Sequence, residues 1–314
     1  MTQRPLALLV AGPTASGKSA LALALARRFG GTVINADSMQ LYRELRVLTA
    51  RPTEAEEAAA PHRLYGTRPA AEPASVAWWR AAALAEMAAV PLPILCGGTG
   101  LYFLSLTEGL SALPPVPPAA RAEARAALAA LGPAAIHARL DAETAAGLRP
   151  GDSQRLARAY EVLLGTGRGL AAWQREGAHT GPAPFRFAAL RLDPPREALR
   201  NAIAARFDAM LGAGALEEVR ALAALGLDPA LPAMRAHGVP ELLAHIRGEM
   251  PLEAARARAV LHTGQYTKRQ ATWFRHHPLA DPTDTHIIHA RIGGVTQFQE
   301  SQQAEIFAFV ERWR

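Results

Sequence analysis

Residues Gly12-Pro13-Thr14-Ala15-Ser16-Gly17-Lys18-Ser19 match the pattern G-x-x-x-x-G-K-[ST] at every fixed position. Their types dictate a chemistry. A glycine-rich turn points successive backbone N–H groups into a concave anion site. A helix that starts at its end adds unsatisfied donors and the positive end of a dipole. Lys18 supplies a point charge for terminal phosphates, and the Ser19 hydroxyl is a hard oxygen suited to Mg²⁺.

Four other stretches carry candidate chemistry. Ile34-Asn35-Ala36-Asp37-Ser38-Met39-Gln40 follows an apolar run, so Asp37 stands at the end of a strand. A carboxylate there can ligate magnesium through water, cap a helix or act as a general base. The polar Ser38 and Gln40 beside it suit a turn that faces a ligand. Gly97-Gly98-Thr99-Gly100 ends another strand, and its glycines either admit a phosphate or join strand to helix tightly. That strand lacks the terminal Asp with which nucleotide hydrolases hold Mg²⁺. Asp152-Ser153-Gln154-Arg155-Leu156-Ala157-Arg158 opens a helix with a polar cap, placing Arg155 and Arg158 on one face. From Gln265 to His277 the cations Lys268, Arg269 and Arg275 interleave with Tyr266, Trp273 and Phe274. Cations among aromatics suit a nucleic-acid backbone with unstacked bases, although Trp273 and Phe274 serve equally as core residues. His276 and His277 have no third metal ligand nearby.

Positioning these groups needs a scaffold, and the hydrophobic pattern predicts one. Strands are expected at Leu6–Ala11, Thr32–Ala36, Pro93–Cys96 and Phe185–Leu192, with a weak one at His286–His289. Helices are expected at Ser19–Phe29, Val76–Val90 and Gly100–Glu108. Alternation of this kind argues for a parallel sheet covered on both faces. Four prolines between Pro114 and Pro118 break the pattern. Helices without strands follow at Arg121–Leu131, Ala134–Leu140 and Ser153–Thr166, up to a second hinge at Gly177–Pro184. The remainder is mostly helical, with Arg196–Leu211, Ala215–Leu225, Leu252–Arg275 and Gln302–Trp313. The expected fold class is α/β, a P-loop NTPase-like parallel-sheet core with an all-helical insertion and a helical C-terminal region. The expected division is 1–115 as the first part of the core, 116–184 as the insertion, and 185–314 as the rest.

Composition bounds the function class. The chain has 314 residues, enough for about two domains. Lys and Arg total 34 against 28 Asp and Glu, a formal charge of +6, which mildly favours a polyanionic partner. One cysteine, Cys96, excludes an intrachain disulfide and a Cys₂His₂ zinc site, and suits a reducing cytosol. Residues 1–3 lead into the first strand with no signal peptide, and no apolar run reaches a membrane span of about 18 residues. A cytoplasmic monomer with no membrane contact is expected.

In their order along the chain, GPTASGKS at 12–19, INADSMQLYR at 34–43, GGTGLYFLSLTEGL at 97–110, DSQRLARAYEVLLGTG at 152–167, RFDAMLGAGALEEVRAL at 206–222 and KRQATWFR at 268–275 resemble the tRNA dimethylallyltransferase family. The first motif is generic, and the other five together are specific. The resemblance implies transfer of a dimethylallyl group from its diphosphate to N6 of the adenosine 3′ of the anticodon. Partners would be the anticodon stem-loop of tRNA and dimethylallyl diphosphate, with Mg²⁺ held by Ser19. Residues Gly12, Pro13, Thr14, Ala15, Ser16, Gly17, Lys18 and Ser19 would bind the donor's diphosphate in place of ATP. Asp37 would take the proton of the adenine amine, with Lys18 and Thr99 as further catalytic residues. Asp37, Ser38, Met39, Gln40, Thr99 and Arg121 would contact tRNA. So would Gln154, Arg155, Leu156, Ala157 and Arg158, and Lys268, Arg269, Gln270 and Arg275.

Two stretches depart from the family pattern. Thr263-Gly264-Gln265-Tyr266-Thr267 lacks an arginine at Gly264, and Ala236-His237-Gly238-Val239-Pro240-Glu241 lacks the usual tyrosine and lysine. A small-molecule kinase would share the phosphate loop without needing the basic, aromatic C-terminal helix. A nucleic-acid-binding NTPase-like protein without enzymatic activity would tolerate loss of Asp37.

Overall fold

The computed structural model describes residues 4–177, 179–293 and 300–313. Residues 1–3, and Ala178 in the expected second hinge, lie outside the described residues. The chain divides into two compact units, Met1–Thr107 with Ala183–Arg314, and Glu108–Pro182.

The first unit is built on six parallel strands: β1 Leu6–Ala11, β2 Thr32–Asn35, β3 His62–Arg63, β4 Pro93–Gly97, β5 Arg186–Leu192 and β6 Thr285–Ile288. Their order across the sheet is β3-β2-β4-β1-β5-β6, and every pairing is parallel. Alternate residues of each strand point to opposite faces, and both faces are covered. Leu8, Val10, Ile94, Cys96, Ala188 and Leu190 pack on one side against α1 Lys18–Phe29 and α13 Glu300–Glu311. Leu9, Ala11, Ile34, Leu95 and Ala189 pack on the other against α3 Val76–Ala88 and α4 Gly100–Thr107. Burial on both faces explains why the strands read as unbroken apolar runs.

The remaining helices of this unit are α2 Glu54–Ala59, α9 Arg196–Gly212, α10 Ala215–Ala224, α11 Val239–Ile246 and α12 Leu252–His276. Residues of α9 to α12 form a separate apolar cluster with Tyr42, Leu45 and Leu48 of the segment after β2. Three backbone N–H groups of that segment, from Arg46, Val47 and Leu48, donate to the Glu218 carboxylate of α10 at 2.7, 2.7 and 2.9 Å.

The second unit contains α5 Pro118–His137, α6 Ala142–Ala146, α7 Ser153–Thr166 and α8 Leu170–Glu176. Its core gathers Ile136, Leu140, Leu156 and Ala159, with Val116, Ala120 and Val162 beside them. The sequence predicts separate helices at Arg121–Leu131 and Ala134–Leu140; they are two limbs of α5 joined at Gly132, where φ is 76°. The helix starts three residues earlier than expected because Pro118 occupies its first turn, where a missing N–H costs nothing. Five short elements were not expected: β3, α2, α6, α8 and α11.

Candidate active site

Three loops leave the carboxyl edge of neighbouring strands, the place where open α/β sheets bind ligands. Ala11 at the end of β1 pairs with Gly97 at the end of β4, and Asn35 at the end of β2 pairs with Cys96. That register brings the turns after β1, β2 and β4 together.

The phosphate loop takes the winding form that turns N–H groups inward. Ala15 and Gly17 have φ of 66° and 95°, and Gly17 caps α1. Among the described residues, the N–H groups of Ala15, Gly17, Lys18 and Ser19 have no internal acceptor. The loop's outward carbonyls are taken by the chain after β6. Arg291 Nε donates to Ala15 O and Ile292 N to Ser16 O, each at 3.0 Å. A Cβ on Gly17 would stand 2.0 Å from Ile292 O, so glycine is required there by packing as well as by φ. Lys18 is buried, and among the described residues its ammonium donates to Pro13 O at 3.5 Å and pairs with no carboxylate. Burial holds the Lys18 pKa below the ordinary lysine value, partly opposed by the Asp37 carboxylate. A buried ammonium without an ion-pair partner is a site waiting for an anion.

Asp37 uses its two carboxylate oxygens differently. Oδ1 accepts from Met39 N at 3.0 Å, an Asx turn that leads into the 3₁₀ turn Met39–Leu41. Oδ2 has no hydrogen-bond partner among the described residues and is left to accept a proton. The structural and base readings of Asp37 are therefore compatible. Asn35, fully buried, wraps the Asp37 peptide: Asp37 N donates to Asn35 Oδ1 at 2.8 Å, and Asn35 Nδ2 donates to Asp37 O at 2.9 Å. Thr99 Oγ1 accepts from Ser38 N at 3.0 Å, and Thr99 N donates to Ala36 O at 3.2 Å. The turn after β4 thus holds the turn after β2.

The glycines of the second turn are explained by the protein's own packing. A Cβ on Gly97 would stand 2.0 Å from Ala36 O, one on Gly98 2.2 Å from Gln270 Nε2, and one on Gly100 2.3 Å from the Trp273 ring. The neighbours admitted are the Ala36 backbone at Gly97 and α12 at Gly98 and Gly100, where the sequence alone had left room for an external phosphate.

Arg206 of α9 completes the electrostatics. Burial lowers its pKa, Asp37 raises it, and its charge also reaches Lys18. Arg206 is partly buried, and its guanidinium donates to Thr49 O at 3.5 Å. No motif reading assigned Arg206 or Asn35; both sit within stretches that carry the family resemblance. Cys96 lies below the loop, its thiol pushed up to about 12 by burial, and remains neutral. Among the described residues no group of three acidic, His or Cys side chains could hold a metal. The exposed Ser19 hydroxyl and Asp37 Oδ2 are hard oxygens beside the cradle, a set that fits Mg²⁺. That ion is commonly held by one or two protein oxygens plus phosphate oxygens and water.

The other expected contacts fall in varied places. Ser38, Met39 and Thr99 are partly exposed around Asp37. Gln40 is buried and donates to Thr49 O and Ala50 O at 2.9 and 2.8 Å. On α12, Lys268 and Arg269 are exposed, Arg275 forms a two-pronged pair with Asp193 at 2.7 and 2.9 Å, and Gln270 is buried. Trp273 stacks on His277 at 4.3 Å while Phe274 is core. In the second unit Arg121, Gln154 and Arg155 are exposed, and Ala157 is partly so. Arg155 and Arg158 pair with Asp152 and Glu161. Leu156 is fully buried in that unit's core and offers no side-chain surface to a tRNA. Gly264 borders open space and Pro240 is exposed in the first turn of α11, whereas Val239, where the family has tyrosine, is fully buried in the core of α9 to α12.

A phosphate loop after β1 at the head of a parallel sheet, with the Asp37 carboxylate after β2 on the far side of β4, defines a P-loop α/β protein. Within that class, residues 40–277 match the IPP transferase family and residues 6–70 match isopentenyl transferases. The chain belongs to the tRNA dimethylallyltransferase (IPP transferase) family. A tRNA dimethylallyltransferase of Acidiphilium cryptum is 63% identical over 310 residues, covering 98% of this chain and 95% of that protein. One from Gluconacetobacter diazotrophicus is 59% identical, covering 96% of this chain and 93% of that protein. Among solved structures, the tRNA isopentenylpyrophosphate transferase of Bacillus halodurans is 28% identical with a TM-score of 0.68, covering 98% of this chain and 96% of that one. A eukaryotic dimethylallyltransferase acting on tRNA shares the fold, with a TM-score of 0.78 at 24% identity, covering 98% of this chain and 80% of that one.

Proposed function

We propose that this protein transfers the dimethylallyl group of dimethylallyl diphosphate to N6 of the adenosine 3′-adjacent to the anticodon in tRNA. The observation that carries the reading is the pairing of an inward-facing set of phosphate-loop N–H groups and the buried Lys18 with Asp37, whose Oδ2 has no hydrogen-bond partner among the described residues.

The bond between C1 of the donor and the diphosphate oxygen breaks, and the bond between N6 and C1 forms. The leaving diphosphate carries its charge into the cradle, where the N–H groups of Ala15, Gly17, Lys18 and Ser19 and the Lys18 ammonium receive it. These groups are already turned inward, so little reorganisation is needed as charge develops. The exocyclic amine of adenine is a weak nucleophile that becomes acidic as N6–C1 forms. Asp37 Oδ2 takes that proton, while the Met39 N–H keeps Oδ1 fixed and so orients the carboxylate. Thr99 keeps the Asp37–Ser38 turn in place. Mg²⁺ held by Ser19 Oγ and diphosphate oxygens would add positive charge at the leaving group. The target base must leave its stack to reach Asp37. Exposed Lys268 and Arg269 of α12 suit the anticodon-loop backbone, and Arg121, Gln154 and Arg155 offer further polar surface on the second unit.

Incubating the protein with unmodified tRNA, Mg²⁺ and dimethylallyl diphosphate, followed by nucleoside mass spectrometry, tests the reading. The expected product is adenosine heavier by one dimethylallyl group. Unchanged adenosine, with hydrolysis of ATP instead, overturns it.

A further inference from the structure

Gln270 ties the phosphate loop to the turn after β4 through both ends of its amide. It is 5% exposed and lies on α12, 256 residues from the loop it touches. Its Oε1 accepts from Thr14 N at 2.9 Å and from Thr14 Oγ1 at 3.0 Å. Its Nε2 donates to Gly98 O at 2.9 Å. The amide orientation is settled by this network, because a backbone N–H can only donate and a carbonyl can only accept.

The consequences reach both substrates. Thr14 N–H belongs to the phosphate loop but is spent on Gln270, which leaves the cradle to the N–H groups after it. Gly98 precedes Thr99, and Thr99 holds Ser38 and Ala36 on either side of Asp37. One amide therefore spans the gap between the leaving-group cradle and the turn that carries the base. Glutamate in its place would keep the acceptor for Thr14 and set a second acceptor against Gly98 O. Gly98 is glycine because a Cβ there would stand 2.2 Å from Gln270 Nε2. Trp273, one turn further along α12, closes on Gly100 in the same way.

We infer that Gln270 is a positioning residue for the transfer step, in place of the tRNA contact the sequence suggests: it sets the separation between the donor's diphosphate and Asp37. The inference rests on the prenyl-transfer reading above. Its test uses Gln270→Met, which keeps the length and removes both polar ends, and Gln270→Glu, nearly isosteric and lacking the Nε2 donor that serves Gly98 O. Turnover is measured at saturating donor and tRNA, tRNA affinity by filter binding, and folding by circular dichroism. Turnover should fall by about 10- to 100-fold in both variants, the cost of a small misplacement of reacting groups, while tRNA affinity stays within about twofold. Should Gln270→Met fail to fold, Gln270→Glu carries the test. Saturated turnover within about twofold of wild type, or loss of tRNA affinity of about tenfold or more, overturns the inference. Wild-type protein runs in the same assay; if it transfers nothing, the functional reading fails, whereas normal variants beside an active wild type sink only the role of Gln270.

Discussion

Lys18 shows how a single residue serves two opposing demands. Its ammonium is desolvated and lacks a carboxylate within ion-pair distance among the described residues, which disfavours the charged form. Diphosphate restores the missing partner and with it the preference for the proton. Donor binding is thus coupled to proton uptake, and donor affinity falls as pH rises through the lowered Lys18 pKa. Fold stability moves the other way. The unfolded chain binds the Lys18 proton more tightly than the folded one, so stability attributable to this group rises with pH across the same window. Lys18→Met should therefore lower the transfer rate by about 10²-fold or more without lowering the melting temperature, as kinetics and calorimetry would show. Asp37 and Lys18 were legible in the sequence because strand-end position and motif spacing mark them. Arg206 and the role of Gln270 were not, because each acts across a sequence separation that only the folded chain closes, and Asn35 was not, because its bonds to the Asp37 peptide depend on a turn geometry that residue types alone do not specify.

The elements that carry the site follow from local rules, and their failures are equally local. β1 runs from Leu6 to Ala11 as expected, because a buried parallel strand reads as one apolar run. The segment His62–Arg63 has no such run and is a strand only because β2 lies beside it. α2 starts at a reciprocal capping box between Thr53 and Glu56, but its six residues bury none of their side chains and so carry no apolar periodicity. The tightest constraint lies where α1 begins. Gly17→Ala would force a side chain toward Ile292 O at a φ of 95°. The expected outcome is a loss of about 1–3 kcal/mol in stability with donor binding abolished, measured by denaturant unfolding and by isothermal titration with inorganic diphosphate. Unchanged diphosphate binding would show that the chain after β6 does not brace the loop.

Across the whole chain every strand but β3 was legible, while the order β3-β2-β4-β1-β5-β6 was not, since hydrophobic pattern gives strands without neighbours. The +6 formal charge points to a polyanion, and its exposed cations at Lys268 and Arg269 suit tRNA phosphates. Affinity for tRNA should weaken by about tenfold or more between about 50 and 200 mM salt as counterions are released. Gly264→Arg, into open space on α12, should steepen the logarithmic salt slope by about 0.7, the value for one further single-strand phosphate contact. The central claim is that a diphosphate leaves into the phosphate loop while Asp37 Oδ2 receives the proton of an adenine amine. Single-turnover transfer to tRNA by Asp37→Asn tests it most directly, because asparagine keeps the shape and the Met39 contact but removes the base. The rate should fall by about 10²- to 10⁴-fold with tRNA affinity nearly unchanged; an Asp37→Asn protein that transfers at the wild-type rate would contradict the account.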